Sequence, residues 1–316
     1  MLTGQAMTNT TASPPVAIFL IKVHSSGEII GWLRTGGLVF RLAIYGKGGI
    51  GKSTMASNVS AALAADGLHV MQIGCDPKAD STRIPMRGER ITTVLDAMRD
   101  AEAAGREVQL EEVVRTSPDG VLCVEAGGPI PGVGCAGRGI VAAFDLLKQL
   151  DAYALYRPDI VIYDVLGDVV CGGFAMPLRG EHSDAVMVVT SGEMMSLYAA
   201  GNILHAVSSF QRRGYARFAG LIANLRDVES EERRIEEFCA DEGAWVAGTI
   251  PRSRAIQQAD ERCVPVGEID PESAAWKAYR GLASLVASMA EGSVPLGSAL
   301  DDRVSSAGSA EAAKEV

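Results

Sequence analysis

Gly46-Lys-Gly-Gly-Ile-Gly-Lys-Ser53 is the stretch on which the reading of this chain turns. It follows the apolar run Arg41-Leu-Ala-Ile-Tyr-Gly46 and opens a segment, 52–66, with the apolar spacing of a helix. Strand, glycine-rich turn ending in Gly-Lys-Ser, then helix: this is the setting of a phosphate-binding loop. Gly46, Gly48, Gly49 and Gly51 let the backbone wrap a phosphate and aim N–H groups at it. Ile50 and Thr54 complete the nucleotide-binding set. The helix beginning near Lys52 presents the positive end of its dipole. In this pattern Lys52 reaches the β- and γ-phosphates and Ser53 ligates Mg²⁺. Lys47, directly after the first glycine, marks the deviant form of the loop, in which the added lysine reaches a nucleotide bound across a subunit interface. It points to a dimer with ATP sites between the protomers.

Outward from this loop, strand and helix patterns alternate. Strands are expected at 41–46, 69–74, 119–125, 159–165, 184–190, 217–224 and 245–250, and helices at about 52–66, 91–102, 139–150, 193–213, 229–242 and 272–290. Short apolar strands separated by helices imply βαβ units and a buried sheet. The fold class is therefore α/β: a P-loop NTPase of the deviant Walker A (SIMIBI or MinD-like) type, with a mostly parallel central sheet flanked by helices.

Composition agrees. The 316 residues are 47% hydrophobic and 22% charged, an ordinary globular balance. With 29 basic against 39 acidic residues the net charge is −10, which argues against a broad nucleic-acid surface. No apolar run is long enough to span a membrane, and Val16–Ile21 lacks the flanks of a secretory signal. A cytoplasmic protein binding neither nucleic acid nor membrane is expected. Residues 1–40 show no clear period. Two readings are open for them, a genuine extension or an upstream translation start, and the second is preferred; either way poor order is expected. The P-loop domain is assigned to 41–290. The Ser-, Gly- and Ala-rich stretch 291–316 is expected to be disordered.

Asp159-Ile-Val-Ile-Tyr-Asp164 reads as a strand delivering Asp164 to Mg²⁺, and Asp168, just beyond Gly167, reads as a switch sensing the γ-phosphate. Asp76 and Asp80, in Gly74-Cys-Asp-Pro-Lys-Ala-Asp80, follow the second strand at the ligand-binding edge of the sheet. Cys135 and Cys171 sit in glycine-rich loops. They are either small buried residues or half of a four-thiolate cluster site completed by a second chain across a twofold axis. Cys75, Cys123, Cys239 and Cys263 have apolar or helical neighbours and are expected to be packing residues.

At this level of detail the chain resembles the nitrogenase iron protein (dinitrogenase reductase) family, which includes the ATP-binding subunits of nitrogenase-like reductases. The matching blocks are Ala43 to Thr54, Gly74 to Arg83, Gly127-Gly-Pro129 with Pro131 to Gly139, Tyr163 to Pro177, and Ser191 to Met195 with Tyr198-Ala-Ala200. The likeness spans about residues 41–290. It implies a homodimer holding one 4Fe–4S cluster through Cys135 and Cys171 of each chain. MgATP binding and hydrolysis then gate single-electron transfer to a larger catalytic component, with a ferredoxin or flavodoxin as electron source. By the same match, Lys47, Lys52 and Ser53 handle phosphates and Mg²⁺, Asp80 and Asp164 organise the metal, Asp168 positions water, and Asp76 and Lys78 belong to a first switch. Arg138 lies on the docking face, where its counterpart in some members is ADP-ribosylated. Asn224, Pro251, Gln257 and Asp260 match the adenosine-binding region.

Several positions depart from the nitrogenase pattern: Ile130 for a common Glu, Ser253 for an expected Asp, and altered segments at Thr54–Ser57 and Ile84–Asp96. They leave the partner open between a nitrogenase and a nitrogenase-like component. The competing class is a positioning or partition ATPase without redox role, which has no use for Cys135 and Cys171 in glycine-rich loops. A cluster-scaffold ATPase normally carries a C-x-x-C, absent here.

Overall fold

The computed structural model describes residues 39–128, 136–167, 175–178, 182–211, 213 and 215–294. Among them eight strands form one sheet: β1 (Phe40–Gly46), β2 (Val70–Gly74), β3 (Arg115–Thr116), β4 (Leu122–Glu125), β5 (Ile160–Asp164), β6 (Ala185–Thr190), β7 (Arg217–Asn224) and β8 (Val246–Ile250). Their order is β3-β4-β2-β5-β1-β6-β7-β8, and β3–β4 is the antiparallel pair in an otherwise parallel sheet. The helices are α1 (Lys52–Ala65), α2 (Val94–Ala104), α3 (Leu110–Val113), α4 (Ala136–Gln149), α5 (Ala152–Tyr156), α6 (Met194–Gln211), α7 (Glu231–Glu242), α8 (Arg254–Arg262), α9 (Val266–Ile269) and α10 (Ala274–Ala290).

Alternation along β1 explains the layering. Ala43 and Tyr45 face a core shared with Ile140 and Phe144 of α4 and Ile203 and Leu204 of α6. Phe40, Leu42 and Ile44 face the opposite core, with Val59 and Leu63 of α1 and Tyr279, Leu282 and Val286 of α10. Side chains of period two thus feed two apolar layers, as a parallel sheet covered on both faces requires. α1 is buried over most of its surface, Met55 to Leu63 included, because α10 covers the side turned away from the sheet. Asn58 survives there because it is satisfied: Nδ2 donates to the Thr54 carbonyl (2.8 Å), and Oδ1 accepts the Val266 N–H (2.7 Å).

The expected strands are all present. β1 starts at Phe40, inside the stretch set aside as an extension, because Phe40 is buried and its N–H donates to the Asp159 carbonyl. The 1–40 expectation before Val39 lies outside the described residues, as does the 291–316 expectation beyond Val294; Glu291 to Val294 continue from α10 as an ordered turn, the Ser293 N–H donating to the Ser288 carbonyl. β3, α3, α5, α8 and α9 fall outside the expected elements. α4 begins at Ala136, before the expected 139, since its glycines do not break it: a Cβ on Gly139 would lie 2.6 Å from Leu95 Cδ1, so glycine there serves close packing on α2.

Candidate functional site

The site lies at the carboxyl edge of the sheet, where β5 is inserted between β1 and β2. Registers Ile44↔Asp164 and Asp164↔Gly74 set Asp164 between the loop after β1 and the loop after β2. Gly51 caps α1 with φ 103°, a left-handed conformation that favours glycine. A Cβ there would also lie 2.5 Å from Asn224 Nδ2. No side chain caps α1, so its first N–H groups remain for an anion. Buried Lys52 points its ammonium into the loop, donating to the carbonyls of Gly46 (2.9 Å) and Lys47 (3.2 Å). Ser53 hydrogen-bonds the Asp164 carboxyl. Burial pushes that carboxyl above the usual range, against the hydrogen bonds from Ser53 and Ser81 and the charge of Lys52; Asp76 adds to the rise. A buried carboxyl beside a lysine and a serine, next to uncapped N–H groups, suits a divalent cation bound with a polyphosphate. The residues present fit MgATP.

The loop after β2 supplies Asp76, Lys78 and Asp80. Lys78 Nζ lies 3.2 Å from Asp76 Oδ2 and 3.7 Å from Asp80 Oδ2, and the hydrogen bond and charge of Asp76 raise its pKa. Asp80 is exposed and Asp76 partly buried. The next two residues are anchored. Gln72 Nε2 donates to the Ser81 carbonyl (2.9 Å) and hydroxyl (3.1 Å), while the N–H and Oγ1 of Thr82 both donate to Glu125 Oε1 at 2.7 Å. Burial pushes Glu125 up to about 7, the Thr82 bonds opposing it and Asp164 and Asp80 adding to it. The loop thus has two acids bridged by Lys78 ahead of a fixed hinge.

On the other side of the phosphate loop lies an open cavity of about 320 Å³, lined by residues 47–50, Glu193, Arg226 and Arg252. Asn224, at the end of β7, donates from Nδ2 to the Ile50 carbonyl (2.6 Å). Arg226 Nη2 donates to the Gly49 carbonyl (3.0 Å), and Arg252 Nη1 to the Arg226 carbonyl (3.0 Å). Of the residues expected in this region, Asn224 reaches the loop through Ile50 but, like Pro251, does not line the cavity; Glu193, Arg226 and Arg252, which do, carry no role in the sequence reading. The available signal was position alone: each stands within two residues of a strand end or a named motif at the ligand-binding edge. Gln257 and Asp260, expected in the same region, are exposed on α8 and do not line this cavity. Ser253, where an Asp was expected, is the N-cap of α8, its hydroxyl accepting from Ala255 N (3.2 Å). Serine and aspartate cap helices about equally well.

Arg138 is exposed in the first turn of α4. Asp168, Cys135 and Cys171 lie outside the described residues. Gly167, directly before Asp168, forms a bridge with Gly46 of the phosphate loop. The other four cysteines are buried, and burial raises the thiols of Cys75, Cys123 and Cys239. Neutral buried thiols are poor metal ligands, and no group of three or more His, Cys, Asp or Glu suited to a metal ion occurs among the described residues. No helix among the described residues is long and apolar enough to cross a membrane.

Comparison with known proteins agrees with this geometry. MinD of Pyrococcus horikoshii, solved as a Mg-ADP complex, superposes with TM-score 0.60 at 20% identity, covering 80% of this chain and 98% of that one. A ParA family ATPase from Chlorobium tepidum gives 0.59 at 22% identity, covering 78% and 98%. These likenesses establish the P-loop fold. The sequence relatives are nearer. A nitrogenase iron protein of Methanospirillum hungatei is 51% identical over 245 residues, 77% of this chain and 86% of that protein. A nitrogenase iron protein 2 of Methanothermobacter thermautotrophicus is 48% identical over 257 residues, covering 81% and 92%. The model of the family described as "4Fe-4S iron sulfur cluster binding proteins, NifH/frxC family" matches residues 40–304. The chain belongs to this NifH/frxC family of 4Fe–4S cluster-binding proteins.

Proposed function

We propose that the chain is the ATP-dependent electron donor of a two-component reductase of the nitrogenase or nitrogenase-like class. The observation that carries the reading is the placement of Asp164 between the phosphate loop and the anchored loop after β2, within a member of an iron–sulfur family. Two copies pair as a cytoplasmic homodimer and hold one 4Fe–4S cluster through Cys135 and Cys171 of each. The cluster supplies the single transferable electron. Lys52 and the N–H groups of α1 bind the phosphates, and Lys47 reaches the nucleotide of the partner chain. Ser53, Asp164 and Asp80 hold Mg²⁺, and Asp168 orients water. Asn224 and Pro251 belong to the adenosine side, Asn224 holding the Ile50 carbonyl, with Gln257 and Asp260 on the adjoining helix. Hydrolysis alters the charge beside Asp76, Lys78 and Asp80, and the hinge at Ser81 and Thr82 passes the change into the sheet. Arg138 faces the catalytic component and is the residue open to ADP-ribosylation. A ferredoxin or flavodoxin restores the electron. The domain runs from about 41 to 290, with the flanking stretches outside its chemistry.

The test is iron content, solution mass and EPR of anaerobically purified, dithionite-reduced protein with and without MgATP. About four irons per dimer, with a reduced signal that changes on MgATP, is expected. Protein that stays iron-free after reconstitution would move the case to a positioning ATPase.

A further inference from the structure

Glu231 is the first residue of α7, a place where a carboxylate normally stands in solvent and acts through the helix dipole. Here it is 6% exposed and turns back from its helix. Oε1 accepts the N–H of Gly192 (2.9 Å), and Oε2 accepts those of Arg226 (2.9 Å) and Val228 (3.2 Å). A buried carboxylate is tolerated only when paired. This one is paired with three backbone donors from two loops far apart in the chain, and such charge-assisted bonds are the stronger kind.

Both loops matter to the cavity. Residues 225–228 carry Arg226, whose guanidinium holds Gly49 and whose carbonyl receives Arg252. Residues 191–193 carry Glu193 into the cavity wall and lead into Met194, Met195 and Tyr198, which are 80%, 60% and 65% exposed. The approach is close enough to require glycine: a Cβ on Gly192 would lie 2.6 Å from Glu231 Cγ and 2.9 Å from its Cα. Glu231 does not itself line the cavity.

We propose that Glu231 is a positioning residue that ties the adenosine-side wall of the nucleotide site to the exposed Met194–Tyr198 face, so that the two move as one body. This connection is separate from the two switches and rests on reading the cavity as the nucleotide site. Glu231 acts on the nucleoside end of a ligand; it makes no bond to the phosphate loop itself and reaches it only through the Arg226–Gly49 hydrogen bond.

The experiment is calorimetric titration of the intact, anaerobically prepared protein with MgATP and with magnesium tripolyphosphate, for wild type, Glu231→Gln, Glu231→Asp and Gly192→Ala. In Glu231→Gln an amide N–H₂ faces backbone donors, so MgATP affinity should fall about tenfold while tripolyphosphate affinity changes less than about twofold. Glu231→Asp keeps the charge on a shorter arm and should lie between. Equal losses for both ligands, or none, would mean that Glu231 merely supports the fold, and would overturn the proposal. If Glu231→Gln fails to fold, Gly192→Ala carries the test: it displaces the same loop with the carboxylate in place, and the same split between ligands is required. Wild-type protein that binds neither ligand would instead refute the nucleotide reading beneath the proposal.

Discussion

The two halves of the cavity edge are built differently. On the β2–β5–β1 side, the groups proposed to bind ligand come from contiguous motifs: backbone N–H groups of one loop, Lys52 and Ser53 beside it, and Asp164 at the end of an apolar strand. On the β6–β7–β8 side, Glu193, Asn224, Arg226 and Arg252 come from three loops, held by bonds between loops and by Glu231 behind them. A phosphate offers the same tetrahedral target in every ligand, and one short loop suffices for it. The proposed nucleoside wall has no such common form. It is assembled from side chains that meet only after folding.

Substitutions can break this contrast. The largest effect is expected from Lys52→Ala, which removes the one buried cation of the phosphate loop; MgATP and tripolyphosphate affinity should both fall about a hundredfold or more by calorimetry, with cluster content unchanged. Asp164→Asn comes next. Nucleotide affinity measured across a Mg²⁺ series should lose most of its metal dependence, about tenfold or more at saturating Mg²⁺, and an unaltered Mg²⁺ profile would remove Asp164 from the metal site. Arg226→Ala sharpens the comparison from the other side: about tenfold weaker MgATP, with a smaller loss of about threefold for tripolyphosphate from the broken Arg226–Gly49 bond. If it weakened both equally, the two halves would not be separable.

Glu125→Gln should have the smallest effect on affinity, within about threefold, and should show in stability instead. The folded-state pKa of Glu125 is raised to about 7 by burial. The native state therefore binds its proton more tightly than the unfolded chain. The contribution of this group is most favourable below the unfolded value and is lost as pH rises through about 7, a fall of about 3 kcal/mol. Denaturant melts across that range should show the fall in wild type and a flatter curve in the glutamine variant, which keeps an acceptor for Thr82.

The same contrast explains what could be read from the sequence. β1, β2 and β4 to β7 are legible because buried parallel strands are apolar runs, as in Ile160-Val-Ile-Tyr and Ala185-Val-Met-Val-Val; β8, half exposed, is legible from its short apolar pattern at 245–250. β3 is two exposed residues and carries no pattern. α8 was missed because its buried contacts are two alanines, Ala255 and Ala259, in an otherwise polar segment. The phosphate loop and its acids were visible as motifs. Arg226 and Glu231 were not, because an arginine and a glutamate near a turn look like ordinary surface residues. Nothing local in the chain tells that one crosses to Gly49 and the other is buried beneath two loops.

The central position of β1 also bears on how the protein is made. Its neighbours in the sheet, β5 and β6, pair with it from 120 and 143 residues further along the chain. The phosphate loop leaves the ribosome early but has no walls until both have followed, a delay of about 7 to 30 s at ordinary synthesis rates. Pairings so distant in sequence also fold slowly. Nucleotide can therefore act as a ligand of the finished sheet only, and a nascent chain that stops short of Thr190 should bind none.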